Sequence, residues 1–181
     1  MGPRGDALLQ FDWTVGQIME ALEKNGLAEN TLIVLSSDNG PVVDDGYADK
    51  AVELLGDHRP WGDFRGGKYS NFEAGTRVPF IVSWPAKIKP GVSNALVSHI
   101  DLFASMAGLV GGKIADQAAP DSRNQLETLL GKDSKGRDYI IEQAGTLSVS
   151  DGNWKYITPG NGAVYNKLTN TELGNNKEVQ L

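Results

Sequence analysis

No cysteine occurs among the 181 residues, so the chain holds no disulfide, no thiolate zinc site and no cysteine nucleophile. Histidine is nearly as scarce. His58 and His99 are the two present, which excludes a three-histidine metal centre. An excess of positive charge is missing too. Lys plus Arg number 17 against 23 for Asp plus Glu, a net charge of −6, and general nucleic-acid binding needs the opposite balance. No apolar run approaches the roughly 20 residues that cross a bilayer. The opening residues, Met1-Gly2-Pro3-Arg4-Gly5-Asp6, lack the apolar core of a signal peptide. What remains is a globular composition, 40% hydrophobic, 22% charged and 8% aromatic, in a chain long enough to bury a real core.

Leu8, Phe11, Val15, Ile18 and Leu22 recur at three and four residues, the stripe of an amphipathic helix. Asp6 is its expected cap and Gly26 its expected left-handed stop. Thr31–Ser36 is apolar without alternation, which predicts a strand covered on both faces, as in a parallel sheet. A helix followed by a buried strand is half of an α/β repeat, so the chain is expected to begin inside something larger. The polar, glycine-rich stretch from Ser37 to Thr76 reads as loop, with a short helix around Asp49 to Leu55. Arg77–Pro85 is a second apolar strand, stopped by proline.

Ser98-His99-Ile100-Asp101 is a capping box before an apolar helix that runs to about Val110 and ends at Gly111-Gly112. This places His99 and Asp101 as cap and surface groups. Asp121 or Ser122 is expected to cap a further short helix holding Leu126, Leu129 and Leu130, closed by Gly131. From Arg137 the pattern changes to short strand-like runs: Tyr139–Glu142, Thr146–Ser150, Asn153–Thr158 and Ala163–Leu168, with Asp151-Gly152 as a hairpin signal. They predict a small antiparallel sheet with Trp154 in its core, a domain boundary near residue 133 and a polar tail from Thr169 to Leu181.

Four segments carry chemistry. Ser37-Asp38-Asn39-Gly40 follows a strand end, where open α/β sheets place ligands. Its carboxylate and amide oxygens suit calcium or magnesium, and the same residues also make an ordinary turn. In Arg65-Gly66-Gly67-Lys68 two glycines let the backbone approach a ligand and Lys68 supplies a point charge for an anion; a basic surface turn is the alternative. His58-Arg59 lies in an acidic loop and reads as a solvated histidine or a substrate contact. Ser83-Trp84-Pro85-Ala86-Lys87 almost fits a nucleophile pattern S-x-P-x-R, but its last residue is Lys and it sits at a strand end, so it is read as a decoy.

The order of these segments resembles the sulfatase family, arylsulfatase-like members of the alkaline-phosphatase superfamily. That family shows a strand ending in Ser-Asp-Asn-Gly, then a Gly-Gly-Lys segment, then Glu, Gly and an Arg-Val-Pro strand into Trp-Pro. Glu73, Gly75, Arg77 and Pro79 stand at those positions here, and Asn153-Trp154-Lys155-Tyr156-Ile157 resembles a strand of the family's small C-terminal sheet. The resemblance implies an α/β fold: the C-terminal part of a sulfatase-type α/β sheet domain over residues 1–133, followed by a small antiparallel subdomain over 134–181. It implies Asp38 and Asn39 as calcium ligands and Lys68 as a catalytic, sulfate-binding lysine; His58 is a candidate substrate contact from its place in the acidic loop alone and is not carried over from the family.

The departures bound the expectation. The family nucleophile is a formylglycine made from a C/S-x-P-x-R motif, and that motif is absent here. The paired aspartates that share the metal belong to an upstream segment as well, so the calcium site is incomplete in this chain. The parent enzyme would hydrolyse sulfate esters, plausibly of sulfated sugars; sulfatases of this type are often periplasmic or secreted, and no residue of this chain fixes the compartment. Its partners would be a sulfated small molecule or glycan and the missing N-terminal sulfatase segment. The chain alone is expected to be inactive. Two alternatives stand beside this: a related phosphate or phosphonate ester hydrolase, and a free-standing, non-catalytic binding or interaction domain.

Overall fold

The computed structural model describes residues 2–115 and 117–181; Met1 and Asp116 lie outside them. Helix α1 spans Gly2–Lys24. It starts before Asp6, which therefore lies inside the helix and does not cap it. Its end is as expected: Gly26 takes φ +68°, the Gly26 N–H reaches Glu23 O and the Leu27 N–H reaches Leu22 O at 2.9 Å, the paired bonds of a left-handed stop. The apolar stripe is real but bare, with Leu8 67% and Phe11 53% exposed.

Strand β1, Ile33–Ser36, pairs antiparallel with β2, Phe80–Ser83, with Ile33 opposite Ser83 and Ser36 opposite Phe80. This corrects the parallel neighbour inferred from the apolar run. Apolar continuity reports how many faces a strand covers and is silent on the direction of its partner. Among the described residues β1 has no second partner, and its side chains are half-buried.

Between the two strands the chain is mostly turns. The helix expected at Asp49–Leu55 is a single turn closed by the Leu54 N–H on Lys50 O at 2.9 Å. Lys50 has φ +56°, which a right-handed helix cannot accommodate, and the Asp49 side chain bonds the Ala51 N–H instead. A four-residue helix α2, Glu73–Thr76, precedes β2. Helix α3, Asp101–Leu109, opens on half of the expected capping box: the Asp101 carboxylate accepts the Ser98 N–H at 3.1 Å, but the Asp101 N–H bonds the Ser98 carbonyl at 2.9 Å in place of its hydroxyl. Helix α4, Leu126–Leu129, is preceded by Asn124, which accepts the Leu126 N–H at 3.0 Å; Asp121 and Ser122 lie too far upstream to cap it.

The C-terminal region forms a three-stranded antiparallel sheet, β3 Ile140–Ala144, β4 Thr146–Ser150 and β5 Lys155–Ile157, in sequential order. A two-stranded pair follows, β6 Tyr165–Asn166 with β7 Thr171–Glu172. Thus the presumed tail is structured, and Thr171 and Asn175 within it are buried. Trp154 is also corrected: it is 65% exposed, whereas Ile157 is 2% exposed. Strand alternation explains this, since Lys155 and Ile157 share the inward face and Trp154 shares the outward parity of Tyr156.

The core is more polar than apolar. The buried hydrophobic side chains among the described residues are Phe72, Ala74, Ala104, Leu129 and Ile157. Buried beside them are Ser70, Asn71, Asp101, Ser105, Ser148 and Arg137. Asp101 is not a surface group: it is 1% exposed and forms a bidentate pair with Arg137. Burial pushes its carboxyl up, but hydrogen bonds from Arg137 and from the Arg123 and Ser98 N–H groups hold it below the usual carboxylate range. The pair ties the start of α3 to the approach of β3.

Candidate functional site

The Ser37–Gly40 turn leaves β1 at its carboxyl end. The Ser37 hydroxyl donates to Asn39 O at 3.0 Å, and Asn39 Nδ2 donates to Gly40 O at 2.9 Å. These bonds leave the Asn39 amide oxygen unused among the described residues. Asp38 is exposed, and its carboxylate meets the Ser37 hydroxyl at 3.5 Å and no basic side chain among the described residues.

Two backbone bonds stitch this turn to the glycine-rich segment. The Gly40 N–H reaches Gly75 O at 3.0 Å, and the Lys68 N–H reaches Pro41 O at 2.9 Å. Gly40 is buried, and a Cβ there would collide with the Ala74 carbonyl. Gly66 takes φ +90°, a conformation that glycine adopts freely and other residues do not. Asp38, Asn39 and Lys68 are thereby carried on two segments that touch, although about thirty residues separate them along the chain.

Lys68 does not reach into empty solvent. Its Nζ donates to Asp45 Oδ2 at 2.8 Å, and the Tyr69 hydroxyl donates to Asp45 Oδ1 at 3.0 Å. The Lys68 bond holds the Asp45 carboxyl below the usual range, and the Asp45 carboxylate raises the Lys68 ammonium in turn. Asp45 and Tyr69 escaped the sequence reading. An adjacent acidic pair, Asp44-Asp45, was the available signal, and it looks the same as any solvated acidic loop.

The segment from Arg65 to Thr76 is held from the far side by the C-terminal sheets. Arg65 stacks on Phe72 at 3.9 Å and pairs in bidentate fashion with Glu172 of β7. Asn71, fully buried, donates to Thr146 O at 2.5 Å and accepts from Ser148 Oγ at 3.3 Å. The Lys155 ammonium lies 2.6 Å from Glu73 and 2.8 Å from Glu142, and donates to Thr76 Oγ1 at 2.8 Å. Sequence reasoning read Arg65 as part of a ligand loop, whereas here it is a strut.

The other candidates stand apart. His58 is exposed, and among the described residues no side-chain contact joins it to Asp38, Asn39 or Lys68. His99 lies 2.7 Å from Ser36 Oγ through Nε2. Since the Ser36 hydroxyl donates to Pro79 O at 2.7 Å, Nε2–H is the donor in that pair. The Ser83–Lys87 decoy runs from the last residue of β2 into the turn that follows it, with the Trp84 indole N–H on Glu29 O at 3.0 Å. As to the metal, Asp38 and Asn39 present hard oxygens of the kind calcium takes. They fit part of such a site: among the described residues no three His, Cys, Asp or Glu side chains gather to complete one.

A family model described as Sulfatase matches residues 1–112. An N-acetylgalactosamine-6-O-sulfatase from Bacteroides thetaiotaomicron is 52% identical over 183 residues, covering 100% of this chain and 36% of that protein. Human arylsulfatase A is 32% identical over 168 residues, covering 88% of this chain and 31% of its own length. A solved structure, described as concerning the metabolism of multiple glycosaminoglycans by Bacteroides thetaiotaomicron, matches 99% of this chain and 38% of its own. Its TM-score is 0.95 at 52% identity. A sulfatase structure from Pseudoalteromonas sp. matches 84% of this chain with a TM-score of 0.69 at 27% identity. The chain therefore spans about a third of the length of these relatives.

Proposed function

The chain belongs to the sulfatase family, and from that premise we propose that it supplies half of the sulfate site of a sulfuric ester hydrolase acting on a sulfated glycan. The observation that carries the reading is the double stitch, Gly40 to Gly75 and Lys68 to Pro41. It joins the backbone of the segment that carries the Asp38 carboxylate and the Asn39 amide to the backbone of the segment that carries the Lys68 ammonium, and among the described residues neither the Asp38 carboxylate nor the Asn39 amide oxygen has a basic partner. A sugar sulfate as substrate is supported by the relative that shares 52% identity along the whole chain and is named for N-acetylgalactosamine-6-sulfate chemistry.

In this reading Asp38 and Asn39 are calcium ligands, one charged and one neutral. Calcium, when bound, supplies positive charge against the sulfate oxygens. Lys68 binds a sulfate oxygen and offsets the negative charge that grows on the leaving oxygen as the S–O bond breaks. The glycines before Lys68 let the backbone come close enough for that contact, and His58, which stands apart from Lys68, is a substrate contact on the sequence reading alone. Residues 1–133 form part of the α/β catalytic domain and 134–181 a small antiparallel subdomain. The formylglycine nucleophile and the remaining calcium ligands belong to the N-terminal sulfatase segment, so the chain alone is inactive. The bare stripe of α1 supports a larger unit around it.

The test is Lys68→Ala in the complete sulfatase polypeptide that carries this chain. Loss of a group that acts on transition-state charge costs a factor of about 100 to 1,000 in turnover. The melting temperature should hardly move, because Lys68 is part-exposed and buries little apolar surface. Full turnover by the variant on a sulfated substrate overturns the assignment.

A further inference from the structure

We propose that Asp45 is the positioning residue for Lys68, with Tyr69 fixing Asp45 in turn. The proposal rests on the reading of Lys68 as the sulfate-binding group, and adds the question of what aims it. A lysine side chain has four rotatable bonds and gives up much rotamer freedom when ordered. A solvated lysine on a glycine-rich loop would sample many positions. Here the ammonium is held at 2.8 Å by one carboxylate oxygen, while the Tyr69 hydroxyl occupies the other at 3.0 Å.

The backbone is bent to make this possible. Tyr69 has φ +76°, a left-handed conformation that is a genuine outlier for a bulky residue and is strained well beyond thermal energy. It brings two consecutive side chains, which diverge in a regular strand or helix, onto the same carboxylate. The Lys68 ammonium also lies 5.1 Å from the Tyr69 ring centre, within cation–π range. Strain of this size persists only where the surroundings hold it, and the Lys68 N–H on Pro41 O and the Ser70 N–H on Gly67 O do so.

The loop that delivers Asp45 is anchored as well. Arg4 of α1 donates to Val42 O at 2.6 Å and pairs with Asp49 at 2.7 Å. Asp45 thus sits between two fixed points, Pro41–Val42 and Asp49. Among the described residues Lys68 pairs with Asp45, and Asp38 has no basic partner. That division matters chemically. A lysine neutralised by Asp38 would occupy the oxygens a cation needs, whereas Asp45 gives the ammonium a counter-charge and leaves Asp38 open.

The experiment is a double-mutant cycle in the complete sulfatase polypeptide that carries this chain, with kcat and KM read on one aryl sulfate. The variants are Asp45→Asn, Lys68→Ala and the double substitution, with Asp45→Glu as the conservative rescue. Asp45→Asn is expected to lower kcat/KM by roughly 10- to 100-fold, the scale for a group that orients an active-site side chain. In the Lys68→Ala background the same change should be silent to within about twofold. Asp45→Glu should recover most of the loss. If Lys68→Ala is costly and Asp45→Asn is not, Asp45 positions nothing. If the two losses simply multiply, Asp45 acts independently of Lys68, and the proposal is overturned. A silent Lys68→Ala is a different failure: it overturns the sulfate-binding reading and the proposal with it.

Discussion

Helix α1 and the segment from Arg65 to Thr76 are built on opposite terms. The helix runs 23 residues and buries none of its side chains. The shorter segment is mostly turn, yet Gly67, Ser70, Asn71, Phe72, Ala74 and Gly75 within it are buried. The helix satisfies its own backbone and needs no neighbour to keep its hydrogen bonds. The segment satisfies its polar groups through distant partners, Thr146, Ser148, Glu172 and Lys155. An apolar stripe therefore shows that a helix can pack, and a network of buried polar bonds shows where this chain does pack. The lysine of the proposed site stands on the second kind of structure, as a group that must be held within a fraction of an ångström requires.

The largest expected effect extends that contrast to another buried polar contact, the most buried ion pair among the described residues. Asp101→Ala removes the partner of Arg137 and leaves a guanidinium in a site where the native pair is nearly sealed from water. Breaking such a pair costs about 3–5 kcal/mol, read as a fall in the urea midpoint. The same carboxylate sets an acid limit. Its folded pKa lies below the unfolded value, so the stability it gives is whole above about pH 4 and is lost as the pH falls through the lower folded value. Acid unfolding of Asp101→Ala should lack that part of the slope. A variant that melts like the parent would mean the C-terminal sheets do not depend on α3.

A second, smaller test separates two neighbours on the same sheet. Ile157→Ala empties a site that is 2% exposed and should cost about 2–5 kcal/mol. Trp154→Ala, three residues away and 65% exposed, should stay within about 0.5 kcal/mol. The reverse order in denaturant midpoints would place the core on the other face of β5.

Much of the scaffold could be read from the residues, because its signals are local. Gly26, Gly131 and Gly152 mark stops and a hairpin within a few residues of the elements they end, and all three take positive φ. Asp38-Asn39 and Gly66-Gly67-Lys68 are contiguous, so their resemblance to a family survives in one sequence. What stayed hidden is long-range and polar. Arg65 meets Glu172 across 107 residues and Lys155 meets Glu73 across 82, and hydrophobic periodicity carries no trace of such pairs. Glu172 fell in a stretch whose polarity reads as tail. Asp101 reads as a surface cap because it stands in a first helical turn, and the partner that allows its burial, Arg137, lies 36 residues away. Trp154 reads as core from its size, while strand parity decides its exposure.

The smallest expected effect belongs to α1. Leu8→Gln and Phe11→Gln replace apolar groups of the stripe with a residue whose helix propensity is about equal to that of Leu and slightly better than that of Phe. Any change in stability then reports burial alone. Both side chains are more than half exposed, so little apolar area returns to water on unfolding, and each variant should stay within about 0.5 kcal/mol of the parent. A loss of about 2 kcal/mol or more would mean the stripe is covered in solution. Its dependence on protein concentration would then say by what, since burial against a second copy weakens on dilution and burial within one chain does not. In the complete sulfatase polypeptide the same two changes should become costly, because there the proposed N-terminal segment offers the face that the stripe lacks here. Equal, small effects in both settings would leave α1 an exposed helix throughout and remove the support it lends to a larger domain.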